Sequence, residues 1–234
     1  MATELGLGTG WVLKTTTNSG YPVQEITKRD RILDTAEALF AERGYDGVTL
    51  RQIAVGAGVD VALASYHFGK KLDLFRAVFE RRAPALNNAR LEALANAQAK
   101  AAPAAPSVEA IIEAFLRPLE LAQETGDEGW THYLALIAYI NNSPYWGPIM
   151  MSALFDELVN QFIDALSAAL PGAAKQHLYW CYNNLSGALT LTLARTGRID
   201  RLSDGLCRSE DFRAAYDHMI PFVAAGFREV CTRH

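Results

Sequence analysis

The chain has few cysteines, no long apolar run and no familiar catalytic motif, and each shortage removes a class of protein. Its 234 residues contain three cysteines, Cys181, Cys207 and Cys231. They are odd in number, widely spaced and without a Cys-x-x-Cys pair, so no disulfide framework, zinc site or dithiol centre is indicated, and a reducing cytoplasm is the expected setting. No stretch reaches the roughly 18 apolar residues of a membrane span. Residues 1–25 lack the basic start and apolar middle of a secretory signal. The chain has no Gly-x-Ser-x-Gly, no His-Glu-x-x-His, no Walker loop and no carboxylate pair that stands apart from helix-face charge, so neither an enzyme nor a cofactor is expected. Gly6, Gly8 and Gly10 are not preceded by a strand or followed by Gly-Lys-Ser/Thr, which sets a nucleotide loop aside. Strand-like alternation and internal repeats are missing as well, leaving an all-α fold that is not a solenoid.

What is present is apolar mass, 50% of the residues, enough for a sizeable core. The net charge of -4 is unevenly spread. Residues 26–82 hold ten Lys plus Arg against eight Asp plus Glu, whereas residues 83–234 hold 11 against 16. The small basic excess is thus confined to an N-terminal segment, where it is compatible with phosphate contact. Three regions are expected: a flexible Gly- and Thr-rich arm over residues 1–25, a helical unit over 26–82 and a larger helical unit over 83–234.

From Thr27 the period is helical, with Ile32, Leu33, Ala36, Leu39 and Phe40 on one stripe, Arg31, Asp34, Glu37 and Glu42 turned elsewhere, and Gly44 as terminator. Thr49 is placed to cap a short second helix that Gly58 closes, and Val61 to His67 form a third. A fourth starts near Lys71 and continues to about Lys100. The turn Ala57-Gly58-Val59 makes residues 49–68 a helix-turn-helix, the arrangement that lays a recognition helix in the major groove; plain structural hairpins share the same pattern. Further helices are expected over 108–124, 130–141, 148–170, 173–196 and 211–232, with a break at Pro103 and Pro106.

The run ILDTAEALFAERGYDGVTLRQIAVGAGVDVALASYHFGKKLDLFRAVF resembles the DNA-binding domain of TetR-family transcriptional regulators, matching its Phe-Ala-Glu-Arg-Gly-Tyr ending, Thr cap, Ile-Ala, Ala-Gly-Val and Phe-Gly-x-Lys brace. The form Tyr66-His67-Phe68-Gly69-x-Lys71 is similar to a subgroup that includes fatty-acid or acyl-CoA responsive repressors, as is the phrase around Met219, Ile220, Pro221, Phe222, Ala224, Ala225 and Gly226.

The resemblance implies that Thr49 and adjoining amides hold a phosphate at a helix N-terminus, and that Tyr66, His67 and Lys71 clamp the DNA backbone. Base reading falls to Val61, Ala62, Leu63 and Ser65, with Arg51 and Gln52 beside them. Val61 stands where many relatives carry Lys, and Ser65 where the subgroup usually has Asn, so the preferred operator is expected to differ. Asp60 is expected to cap the third helix.

In the C-terminal region Phe212, Tyr216, Met219, Ile220, Val223 and Phe227 form one apolar stripe, and Leu178, Cys181, Leu185, Leu189 and Leu193, with Gly187, another. Such wide stripes call for a partner, and the resemblance implies a homodimer closed by a four-helix interface; an ordinary monomeric core is the alternative. Phe115, Trp130, Tyr133, Tyr139, Tyr145, Trp146, Met150, Met151, Phe155, Trp180 and Tyr182 suit an adaptable apolar pocket, with Asn183, Asn184 and His132 as orienting polar groups. The expected function is a repressor that binds a palindromic operator on double-stranded DNA as a dimer and is released by a small hydrophobic effector, a fatty acid or acyl-CoA. A helical small-molecule-binding protein or enzyme without DNA binding is the other reading.

Overall fold

A computed structural model describes residues 27–232, so the arm expected over residues 1–25 lies outside the described residues. The first helix, α1 (Lys28–Arg43), begins where the Thr27 hydroxyl accepts the Asp30 N–H at 3.1 Å and stops where Gly44, at φ 67°, turns its own N–H onto the Phe40 carbonyl at 2.9 Å. Next come α2 (Leu50–Gly56), α3 (Val61–Phe68) and α4 (Lys71–Ala101). At 1.5 Å per residue α4 is about 46 Å long. It runs unbroken through Arg82, where the sequence placed a domain boundary, so the N-terminal head is joined to the body by a helix and not by a linker.

The body comprises α5 (Val108–Glu124), α6 (Glu128–Asn141), α7 (Ser152–Ala169), α8 (Lys175–Leu193), α9 (Arg198–Leu202) and α10 (Phe212–Cys231). No strand occurs among the described residues. Two details depart from the expected helices. The helix expected over 148–170 opens with a π-helical turn, Gly147–Met151, where Pro148 has no N–H to give to a regular α ladder. The short α9 was not foreseen in the segment between α8 and α10. In the body α4 packs on α5 and α7, α10 packs on α5 and α8, and α6 touches both α8 and the head's α1.

Glu37, expected on the outer face of α1, is 1% exposed. It is buried because two guanidiniums meet it: Arg81 Nη2 donates at 2.5 Å, and Arg82 donates through Nε at 2.9 Å and Nη2 at 3.2 Å. Arg82 also donates from Nη1 to Asp127 at 2.8 Å, while Asp127 caps α6 by accepting the Gly129 N–H at 2.9 Å. Burial is the largest single influence on Asp127 and opposes its ionisation, but the hydrogen bonds from Arg82 and the Gly129 N–H, with the charges of Arg82 and Arg81, together outweigh it and hold the carboxyl below its ordinary pKa. A Cβ on Gly129 would collide with Arg82 Nη2, which explains a glycine in the first turn of α6. A second tie is aromatic. Tyr45, on the turn after α1, and Phe75 of α4 both pack against Trp146, with ring centroids at 4.8 and 5.2 Å.

Candidate nucleic-acid interface and ligand cavity

The second helix of the head starts in a closed capping box. Gln52 N–H donates to Thr49 Oγ1 at 3.2 Å, and Thr49 N–H donates to Gln52 Oε1 at 2.8 Å. Thr49, Arg51 and Gln52 remain on the surface, while Ile53 and Ala54 fill the core. The chain then reverses at Gly58, φ 64°, in the left-handed region that a side chain would resist, and Val59 N–H returns to the Ala54 carbonyl at 3.0 Å. Val59 packs against the core from the turn, as the pattern requires.

The third helix hides one face and shows the other. Ala64 and Phe68 are buried, Leu63 is half-buried, and Val61, Ala62, Ser65, Tyr66 and His67 are exposed, Tyr66 by 83%. Gly69 ends the helix at φ 72° with its N–H on the Ser65 carbonyl at 2.8 Å. Asp60 occupies the cap position, but only its backbone carbonyl serves α3; its side chain makes no capping hydrogen bond, contrary to expectation.

Lys71 also departs from its expected role. Its ammonium is turned inward, donating to the Tyr45 and Val48 carbonyls at 2.9 Å each and lying 4.0 Å from the Tyr45 ring centroid. The carbonyls left over after α1 attract it more strongly than open solvent does. The neighbouring Lys70 is the exposed ammonium at the start of α4, where its backbone N–H donates to Asp73 at 3.1 Å. Lys28 is exposed at the start of α1, and the Arg29 guanidinium lies 5.0 Å over the Phe68 ring. Sequence reasoning named none of these three cations, although Lys70 adjoins a residue it did name.

In the body, a cavity of about 30 Å³ lies between α4, α5, α6, the π-helical turn, α7 and α8. Of the residues expected to line a pocket, Phe115, Met151, Phe155 and Tyr182 do so. Tyr133 and Met150 are packed in the core, and Trp130 sits at the head–body junction under Arg82, 5.0 Å from its guanidinium. Trp180 and Asn183 face away from the cavity on the exposed side of α8, because Leu178, Cys181, Leu185 and Leu189 take the inner side. Asn184 is exposed with them. The polar groups at the cavity are Arg90, Asn141, Tyr182, Ser186 and Thr190. Asn141 Nδ2 donates to Ser186 Oγ at 2.9 Å, and Thr190 Oγ1 donates to the Gly187 carbonyl at 3.2 Å.

Arg90, 4% exposed, was missed by the sequence reading. Its Nε donates to the Phe115 carbonyl at 2.9 Å and its guanidinium lies 4.0 Å over the Phe115 ring. Burial lowers its pKa to about 10, so it is still a cation at neutral pH. A signal existed: Ala83, Leu86, Arg90 and Leu94 share one helical stripe, on which an arginine is out of place.

The apolar stripes expected to meet a partner lie in the chain's own core: Leu178 and Tyr216 are fully buried and Phe227 is 1% exposed. Their opposite faces carry Trp180, Leu191 and Phe222, exposed by 60, 67 and 76%. Beside them Gly187 and Gly226 leave open space.

A helix-turn-helix head carried on a long helix into a larger helical body is the build of a transcription regulator. Residues 32–78 match the family model described as bacterial regulatory proteins, tetR family, and residues 113–226 match that of the tetracyclin repressor-like C-terminal domain. The chain belongs to the TetR family of transcriptional regulators. It is 40% identical over 48 residues to the biofilm operon icaADBC HTH-type negative transcriptional regulator IcaR of Staphylococcus epidermidis, a match covering 20% of this chain and 26% of that one. The chain thus spans about a quarter of the length of the curated relatives it matches. Among solved structures it is similar to a TetR-like transcriptional regulator from Rhodococcus sp. RHA1 (TM-score 0.57, 19% identity, 91% of this chain and 100% of that one). It is also similar to the fatty acid degradation regulator FadR from Bacillus halodurans (TM-score 0.57, 17% identity, 86% and 96%).

Proposed function

We propose that the protein is a cytoplasmic repressor, without enzymatic activity, that binds a palindromic operator as a homodimer and leaves it when a small hydrophobic effector of the acyl class enters the body. Residues 26–82 form the DNA-binding unit and residues 83–234 the effector-binding and dimerisation unit. The observation that carries this reading is the open face of α3, where Val61, Ala62, Ser65, Tyr66 and His67 stand out from a helix whose other side is anchored by Ala64 and Phe68. Tyr66, His67 and the Thr49 end of α2 grip phosphates. Lys70 takes the outward place that Lys71 leaves. Val61, Ala62, Leu63 and Ser65 meet base edges, with Arg51 and Gln52 alongside; the Gln52 amide nitrogen is free of the capping box. The exposed Trp180, Leu191 and Phe222 and the open glycines supply a self-complementary face. Such a dimer would set two α3 helices about 34 to 36 Å apart, one DNA turn. The negative regulation named for IcaR supports the direction of control.

The test is fluorescence anisotropy with a palindromic duplex from the region upstream of the coding sequence and a scrambled duplex, over a salt series. The palindrome is expected to bind more tightly, with one dimer per site by sedimentation. Equal affinity for both duplexes at every salt concentration would overturn the reading. Ser65→Asn is expected to shift preference toward adenine at one position of each half-site.

A further inference from the structure

Arg90 is a buried cation without an anion. Among the described residues it has no ion-pair partner, and its one hydrogen bond is from Nε to the Phe115 carbonyl; Nη1 and Nη2 donate to nothing. The two buried carboxylates among the described residues, by contrast, are each shared by two arginines: Arg81 and Arg82 meet Glu37, and Arg117 and Arg213 meet Glu120. The hydroxyls of Tyr133 and Tyr216 are buried without a hydrogen-bond partner among the described residues, and both tyrosines lie near enough to act on the charge of Arg90. A guanidinium held this way costs the fold stability unless something neutralises it. The space beside it is walled by apolar side chains, among them Leu119, Met151, Phe155 and Leu158. Met151 belongs to the π-helical turn, a backbone form that departs from a regular helix, and its flexible side chain lets that wall yield to a guest larger than the present 30 Å³.

We infer that the cavity takes an amphipathic free carboxylic acid, its carboxylate held by the Arg90 guanidinium and its apolar tail lying among Leu119, Met151, Phe155 and Leu158. This rests on the effector reading above and sharpens it. A planar carboxylate matches the two unused guanidinium nitrogens side by side. A coenzyme A thioester is neutral where its chain meets the carbonyl and carries its charge far from the tail, so it leaves Arg90 unpaired.

The experiment is isothermal titration calorimetry of the full chain with hexanoate, decanoate and palmitate, and with decanol, decyltrimethylammonium and decanoyl-coenzyme A as contrasts. Wild type is expected to bind at least one of the acids, and to prefer decanoate to decanol by more than about tenfold. Arg90→Met is expected to lower decanoate to the level of decanol and leave decanol unchanged. The Met variant fills a similar volume and removes an unpaired charge, so without ligand it is expected to melt no lower than wild type. Failure of every acid to bind, equal binding of decanol or the ammonium, tighter binding of the thioester, or a preference that survives in Arg90→Met would each overturn the inference. So would an Arg90→Met protein that melts far below wild type, since Arg90 would then be a packing strut. Operator binding measured on the same samples separates the two readings: intact DNA binding with no acid preference removes only the role of Arg90, whereas no operator binding by wild type removes the regulator.

Discussion

The two ends of the molecule present polar side chains in opposite ways. On α3 Tyr66 is 83% exposed, and the fold gains almost nothing from it; at the cavity Arg90 is 4% exposed, and the fold holds it at a cost. A surface group can be shaped for a macromolecule without disturbing the core, because water satisfies it until the partner arrives. A charged group inside has no such reserve. Its presence in an apolar setting therefore carries more information about a small ligand than any number of aromatics, which serve packing equally well. Between the ends lies a third situation, the Glu37–Arg82–Asp127 junction, where the buried Glu37 carboxylate is met by guanidinium and head is joined to body.

That contrast can be broken most sharply at the junction. Glu37→Ala leaves Arg81 and Arg82 facing an empty, buried place, and is expected to destabilise the chain by about 3–5 kcal/mol in urea unfolding. A loss under about 1 kcal/mol would show that water replaces the carboxylate and that the junction is as open as α3. Lys71→Met is expected to cost about 1–3 kcal/mol, because the Tyr45 and Val48 carbonyls lose their donor. If it weakened DNA binding with the melting temperature unmoved, Lys71 would belong with the surface group instead. Tyr66→Phe is the mirror case: affinity for every DNA sequence falls about fivefold, equivalent to about 1 kcal/mol, while stability stays within about 0.5 kcal/mol of wild type. The smallest effect concerns pH. Asp127→Asn retains the cap on α6 but loses the charge opposite Arg82, so wild type is expected to exceed it by about 0.5 kcal/mol after solvent screening. Because the folded pKa of Asp127 is depressed, that advantage is full above the ordinary value of 3.8 and disappears as pH falls through the lower folded value. Melting curves of both proteins between neutral pH and the acid limit of reversible unfolding check it.

Legibility in the sequence followed the same division. The head was readable because short helices need explicit punctuation: Thr27, Gly44, Thr49, Gly58 and Gly69 each sit where a cap or a turn requires that residue type. The bounds of α5 were readable for the same reason, with Pro106 and Ser107 before it and no apolar period after Glu124. What could not be read was which side of a long apolar helix faces inward. On α8 and α10 the apolar residues outnumber one stripe, so Trp180 and Phe222 look as internal as Leu185 and Val223, and only the packing of α8 on α6 and α7, and of α10 on α5 and α8, decides between them. Glu37 and Lys71 were misplaced for a different reason. Charged side chains are expected outside, and their inward turn depends on partners 44 and 26 residues away in sequence. Asp60 shows the limit of local chemistry too, since a good capping residue in the cap position left its side chain unused.

The inward ammonium of Lys71 has a mechanical meaning. It rivets the first turn of α4 to the loop that follows α1, and Tyr45 of that loop in turn packs edge-to-face on Trp146, one residue ahead of the turn that carries Met151. The three small helices and the tip of the long one are thus a single rigid tool mounted on a 31-residue shaft. In the proposed dimer, a ligand pushing on the shaft's far flank would move the tool as a whole and spoil the spacing that two successive grooves require.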